Sequence, residues 1–239
     1  MRKGVNILIG ITRLSLGGAG KFVVQLAKGL KKNGFDVVVL CGVEEKSYLL
    51  EDELCEEGIP ILFVETLRRD VSIVEDIRSL IAITKLLKIK RFDIIHAHTT
   101  KAGVILKLAA FISGYKTVIY NPHGHIYDKM ANLPGINSIY KRIIFFIIEK
   151  FVNYITKSKI ICVSSKEYKD ILNMGYSSKM NTYLVPNGIV IDEETSPTRY
   201  SDDIKNILVI GRLSPEKGQD IAIETLRILH LSSKNFKLT

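Results

Sequence analysis

A chain of 239 residues, 46% hydrophobic and 25% charged, suits one large domain or one domain and part of a second, and is too apolar for disorder. Its formal net charge of +9 favours anionic partners (nucleotides, lipid headgroups or nucleic acid) without selecting one, and a plain solubility role stays open. No run reaches the ~20 apolar residues of a membrane span, and the sparse cysteines, Cys41, Cys55 and Cys162, lack metal or redox spacing and fit a reducing cytoplasm.

The basic start MRKGVNILIGITRL reads as a buried strand, Val5 to Ile11, rather than a signal peptide, because Asn6 and Arg13 interrupt its apolar part and no cleavage pattern follows. After the loop TRLSLGGAG, the residues Ala19, Phe22, Val23, Leu26, Ala27 and Leu30 recur at helical period. Asn33-Gly34 closes that helix and Phe35 to Cys41 forms a second strand. This β–α–β unit implies a parallel sheet. Gly17 and Gly18 stand at the strand-to-helix junction, where a bare backbone admits a ligand or simply makes a turn. The GxGxxG spacing is absent and no acid ends the second strand, which argues against a nicotinamide or flavin dehydrogenase.

An acidic helix, Ser47 to Glu57, leads to a third strand, Ile61 to Val64. Val74, Ile77, Leu80, Ile81, Thr84 and Leu87 mark the next helix, and Phe92 to Ala97 the fourth strand. It runs into His98-Thr99-Thr100-Lys101-Ala102-Gly103 and a helix through Ala110. The strand period leaves only one of His96 and His98 on a given face, with His96 read as a satisfied core histidine. His98 and Lys101 lie where ligands gather in parallel sheets, with helix capping or solvent exposure as the equal alternative. A fifth strand, Thr117 to Tyr120, opens into Asn121-Pro122-His123-Gly124-His125, and a histidine in such a loop is rarely a packing choice. A metal at His123 and His125 is disfavoured, because no carboxylate or cysteine partner stands nearby.

Ile136 to Thr156 is the most apolar helix, with Tyr140, Ile143, Ile144, Ile147, Ile148, Phe151, Tyr154 and Ile155 in a broad stripe beside Lys141, Arg142, Lys150 and Lys157. It suits the core or a membrane interface. The width of the stripe, and a strand at Ile160 to Val163, favour the core. The preceding loop, Tyr127 to Gly135, is the mobile or membrane-touching candidate. Ser164 and Ser165 cap a short helix, Lys166 to Asn173, and Tyr183 to Val185 is a further strand before Pro186-Asn187-Gly188. A polar linker, Asp192 to Asp203, follows. Finally Ile207 to Ile210 reads as a strand, Ser214 as an N-cap, and Pro215 as the start of a helix through Leu229. Arg212 then flanks the strand and Lys217 falls in the first helical turn. Two cations at a helix start suit a phosphate or diphosphate.

GRLSPEKGQD resembles the donor-diphosphate loop of the retaining, nucleotide-sugar-dependent glycosyltransferases of GT-B fold, the family-4-like group. HAHTTKAG, the His-Gly of NPHGH and VPNGI resemble matching segments of its capsule and exopolysaccharide members. The resemblance implies an α/β fold: a Rossmann-like parallel sheet with helices on both faces, plus the first β–α unit of a second such domain. Domain limits are then 1–191, a linker at 192–204, and 205–239 as an incomplete donor-binding start. It implies His123 at the donor sugar, Gly17 and Gly18 beside donor phosphate and acceptor, and Arg212 and Lys217 on the leaving diphosphate. His98, Lys101 and Asn187 are the further cleft candidates. No metal or bound cofactor is implied; the co-substrate is a nucleotide diphosphate sugar and the acceptor a glycan, lipid-linked in this branch. Nucleic acid is not implied. The setting is cytoplasmic, at the inner face of the plasma membrane with peripheral contact. The family's later acidic motif, two glutamates separated by seven residues in the second domain, is expected beyond Thr239, so a non-catalytic acceptor- or partner-binding fragment is the rival reading.

Overall fold

The computed structural model describes residues 4–43, 49–124, 139–189, 205–211, 213, 217–231 and 236–238. The chain divides into two compact units, Met1–Asn187 and Gly188–Thr239. His125, Arg212, Ser214, Pro215, the loop 127–135 and the linker 192–203 lie outside the described residues.

In the first unit the strands are β1 (Asn6–Gly10), β2 (Asp36–Cys41), β3 (Ile61–Phe63), β4 (Ile94–His98), β5 (Val118–Asn121), β6 (Lys159–Cys162) and β7 (Thr182–Leu184). The helices are α1 (Gly18–Lys32), α2 (Leu49–Glu56), α3 (Ile73–Ile89), α4 (Thr100–Ile112), α5 (Ile139–Thr156) and α6 (Ser165–Asn173). All seven strands are parallel, in the order β3-β2-β1-β4-β5-β6-β7. The alternation of strands and helices along the chain dictates this arrangement, because each parallel pair needs a crossover and each helix covers one sheet face.

Alternate residues of β1 serve two cores. Ile7 and Ile9 join Val23, Val24 and Ala27 of α1 and Leu50 and Leu54 of α2 on one side. Leu8 joins Ile83 and Leu87 of α3 and Ile105, Leu106 and Ala109 of α4 on the other. The central strands, apolar on both faces, are buried by both helix layers.

Helix α5 departs from expectation. Its stripe does not enter the core: Ile143, Ile144, Ile147, Phe151 and Tyr154 are 46%, 56%, 59%, 60% and 79% exposed. The inward face instead carries Glu149, Val152 and Asn153. Tyr120 of β5 donates its hydroxyl proton to Glu149 Oε1, and Asn153 Nδ2 donates to the Tyr176 carbonyl at 3.1 Å. The Lys107 ammonium lies 4.1 Å above the Tyr120 ring. Burial draws the Lys107 pKa down to about 8, opposed by the nearby Glu149 charge. These buried polar groups fix the roll of α5, overriding the wider apolar stripe.

The second unit is a β–α–β element: β8 (Lys205–Ile207), α7 (Gln219–Leu231) and β9 (Phe236–Leu238), with β8 and β9 parallel. Three sequence expectations change here. The strand ends at Ile207 instead of beginning there, and a second strand follows the helix. The helix starts at Gln219, because Gly218 has φ +67°, a left-handed conformation that no α-helix continues through. Lys217 therefore precedes the helix and is not in its first turn.

Candidate functional site

Strand order reverses between β1 and β4, and in open parallel sheets the carboxyl ends of such a pair frame the ligand crevice. The loop after β1 and the loops after β4 and β5 meet there. Thr12 Oγ1 lies 2.9 Å from Thr99 Oγ1 and accepts from Ala102 N at 3.3 Å, so a hydroxyl of one loop caps the helix of the next.

Two backbones here are held in left-handed conformations without glycine: Thr99 at φ 65° and His123 at φ 55°. A β-branched threonine there costs on the order of 1–3 kcal/mol, and such strain concentrates at functional sites. The Thr99 amide donates to the Asn121 carbonyl at 3.1 Å, tying β4 to β5 beside that strain.

The three histidines form one array. His96 and His98 share a face, with ring centroids 4.2 Å apart, which corrects the expectation that only one would point to it. Residues two apart on a strand lie on the same side. His96 Nε2 is 2.6 Å from Asn121 Oδ1, and Asn121 Nδ2 donates to the Ile161 carbonyl at 3.1 Å. The amide orientation makes Oδ1 the acceptor, so His96 carries its proton on Nε2. His98 Nδ1 is 2.9 Å from His123 Nε2, and Phe22 of α1 contacts both rings. His98 is fully buried and its Nε2 meets no hydrogen-bond partner among the described residues. An orphaned lone pair costs less than an orphaned N–H. His98 therefore donates from Nδ1 to His123 Nε2, which leaves the His123 proton on Nδ1.

All three stay neutral. Burial holds His96 and His123 at about 4, and holds His98 well below its ordinary range with the help of both neighbours. Between an ordinary 6.5 and about 4, protons enter the unfolded chain before the folded one. Stability accordingly falls as pH drops through that window. Urea unfolding followed from about pH 7 down to about pH 4 is expected to show the fall, with a shallower slope in His123→Asn.

Loop order around His123 comes from α6. Glu167 Oε2 accepts from Val163 N at 2.8 Å and Oε1 from Gly124 N at 3.4 Å, which clamps the loops after β5 and β6. Ser164 Oγ accepts from Glu167 N at 3.1 Å. The S-x-x-E spacing signals this cap in the sequence, but not that its carboxylate reaches across to His123's neighbour.

Gly17 and Gly18 open α1. Gly17 has extended φ −171°, the helix has no side-chain cap, and its first turn holds no acid. By contrast α3 and α6 have serine caps and acidic first turns. The start of α1 keeps its free N–H groups and partial positive charge for an outside acceptor. A Cβ on Gly18 would meet nothing within 4 Å, whereas one on Gly20 would lie 2.3 Å from the Ser15 carbonyl. Packing thus demands Gly20, and the space before Gly18 is unclaimed by the fold.

Lys101 leaves this group. Its ammonium pairs with Asp76 Oδ1 at 2.6 Å and donates to the Asp70 carbonyl, tying α4 to α3. Asn187 is exposed at the last position of the first unit, and Lys217 is exposed in the second. Among the described residues no three histidine, cysteine or carboxylate side chains converge as a metal site, and no helix is long and apolar enough to cross a membrane.

A seven-stranded parallel sheet covered by helices, with its switch point between β1 and β4, is a Rossmann-like domain of the kind found in the GT-B fold. Residues 16–193 match the Glycosyltransferase Family 4 domain, and the chain belongs to that family. It is 26% identical over 223 residues to the UDP-Gal:alpha-D-GlcNAc-diphosphoundecaprenol alpha-1,3-galactosyltransferase of Escherichia coli, across 89% of this chain and 52% of that protein. It is 25% identical over 222 residues to the capsular polysaccharide biosynthesis glycosyltransferase CapM of Staphylococcus aureus, across 87% of this chain and 54% of that one. The crystal structure of a glycosyltransferase from Rickettsia africae superposes with TM-score 0.68 at 18% identity, over 98% of this chain and 59% of the other. The chain spans about half the length of the curated relatives it matches.

Proposed function

We propose that this chain carries the acceptor-side domain of a retaining glycosyltransferase that moves a sugar from a nucleotide diphosphate sugar to a lipid-linked glycan in surface polysaccharide synthesis. The observation that carries the reading is the neutral His123, held by His98 beside the open start of α1. The Escherichia coli relative is named for a UDP-galactose donor and a diphosphoundecaprenol-linked acceptor, which supports these substrate classes. Its name also gives an alpha linkage, the product of retention from an alpha-linked donor.

In this mechanism the His123 Nδ1–H donates a hydrogen bond to the donor sugar or its phosphate, and a neutral imidazole suits that role better than proton delivery. The N–H groups at Gly18 and beyond receive an anionic oxygen of donor or acceptor. Arg212 and Lys217 stabilise the departing diphosphate as its charge develops. No resident metal takes part. The enzyme works at the inner face of the membrane.

A binding domain that performs no transfer is the second reading. Product formation in a transfer assay separates the two. Gly18→Leu tests the first: its side chain enters unclaimed space, so the thermal midpoint holds while transfer falls about tenfold or more. Unchanged transfer would show that nothing binds at the α1 start.

A further inference from the structure

Strand pairing fails beside His123, and side chains take its place. β4 pairs with β5 as far as Asn121, and β6 pairs with β7 as far as Cys162, but the β5–β6 ladder stops at Tyr120 and Ile160. Pro122 has no amide with which to continue it. Asn121 Nδ2 donates to the Ile161 carbonyl at 3.1 Å, and past that bond the Glu167 carboxylate accepts from Val163 N at 2.8 Å and from Gly124 N at 3.4 Å. We propose that Glu167 is a positioning residue for sugar transfer, holding the His123 ring in place through the Gly124 amide. This role presupposes the transferase reading above.

Three observations carry it. The first is backbone shape. His123 and Gly124 are consecutive residues at positive φ, 55° and 110°. Histidine persists there only where its surroundings hold it. The Thr99 amide fixes the Asn121 carbonyl on the near side at 3.1 Å, and Glu167 takes the Gly124 amide on the far side.

The second is the route of the carboxylate. Glu167 is the third residue of α6, where a capping-box acid returns to the amide of its own N-cap. Glu167 instead reaches back to Val163 and across to Gly124, although Ser164 Oγ still accepts from its amide at 3.1 Å. It is buried, so the clamp is firm. The third is what the loop delivers: the ring that His98 Nδ1 meets at 2.9 Å and that Phe22 meets edge to face. Loss of the far anchor lets that ring drift, and a misplacement of about 1 Å is enough to cost a reaction about a hundredfold.

Glu167→Gln isolates the role. Glutamine keeps the size and the start of α6, but it has one acceptor oxygen where the carboxylate has two. The shorter bond, to Val163 N, keeps that oxygen, and the glutamine NH2 then faces the Gly124 N–H, donor against donor. Gly124 is exposed, so water can take its amide and the fold survives.

The first measurement needs no substrate. In chain labelled with heavy nitrogen at histidine, the His123 ring signals are those missing from His123→Asn. Glu167→Gln is expected to shift the His123 Nε2 signal toward that of a ring without its His98 bond, while the thermal midpoint falls by no more than a few degrees. The second measurement is the initial rate of transfer, well below that midpoint. Glu167→Gln is expected to lower it about tenfold or more in the unchanged chain, and by less than about twofold in His123→Ala, where the ring to be positioned is gone. A residue that only supports the fold would act alike in both. The proposal is overturned by an unmoved His123 signal, by undiminished transfer in Glu167→Gln, or by an equal loss in the two backgrounds. If the unchanged chain transfers no sugar, the transferase reading fails instead, and the ring signal still decides whether Glu167 holds His123.

Discussion

Alanine at position 123 is expected to lower the initial rate of the proposed sugar transfer about a hundredfold, while the thermal midpoint falls by only a few degrees. The loss follows from removing a hydrogen-bond donor that stays neutral at working pH, the usual contribution of one such positioned donor being about 10²–10³-fold. The small fall follows from the lost ring: alanine is no easier than histidine at φ 55°, and the change leaves the buried His98 Nδ1 without its partner and Phe22 without its contact. His123→Asn provides the control: asparagine accepts the left-handed conformation readily, so any stability change it shows is due to the lost ring. A companion variant, His98→Leu, keeps the apolar volume and removes only the bond that fixes the His123 proton. It is expected to lower transfer by less than the His123 change, with donor KM altered more than kcat. Equal rates for wild type and His123→Ala would remove this residue from the reaction.

Gly42→Ala is the change expected to damage the fold most. A Cβ there would stand 1.8 Å from the Leu67 carbonyl oxygen and 2.8 Å from that of Thr12. Both obstacles are backbone, so neither can swing aside. The Gly42 amide also donates to the Thr12 carbonyl at 3.0 Å, which couples this glycine to the loop that meets Thr99. Overpacking of this kind costs about 3 kcal/mol, or roughly 8 °C in midpoint for a unit of this size. Thermal unfolding followed by circular dichroism measures it. A midpoint within about 1 °C of wild type would mean that the two loops separate freely, contrary to their packing. The same substitution at Gly29 or Gly34 tests specificity, as a Cβ there meets nothing within 4 Å, although Gly34 lies at φ +84° and carries its own backbone penalty.

Much of this architecture is written locally. The short apolar run of β1 and the helical stripe of α1 announce a β–α–β unit, and repetition of that unit leaves a parallel sheet as the outcome. The placement of His98 at the end of β4 and of His123 in the loop after β5 is legible in the strand pattern. What stays hidden depends on distant partners. Nothing near Lys101 tells that Asp76, twenty-five residues earlier, neutralises it. The strain at Thr99 comes from the loops around it, and no residue type marks it. Gly17, Gly18 and Gly20 look alike in sequence, and only the Ser15 carbonyl separates the glycine that packing requires from the pair that leaves space. The roll of α5 misleads for a different reason. Hydrophobicity rates Ile143 to Tyr154 as inward, yet a carboxylate and an amide with buried partners outweigh it, since an unpaired buried polar group is costly. In the second unit, Pro215 suggests a helix start that the backbone of Gly218 postpones.

The Lys107–Tyr120–Glu149 trio has an evolutionary corollary. A helix keyed from within by a few polar teeth leaves its outer side chains unconstrained by the scaffold. Descendants can therefore exchange those outer positions, adapting to a new compartment or neighbour, at little cost in folding. Change at Glu149 or Tyr120 should be rare by comparison, and when it occurs it should come paired.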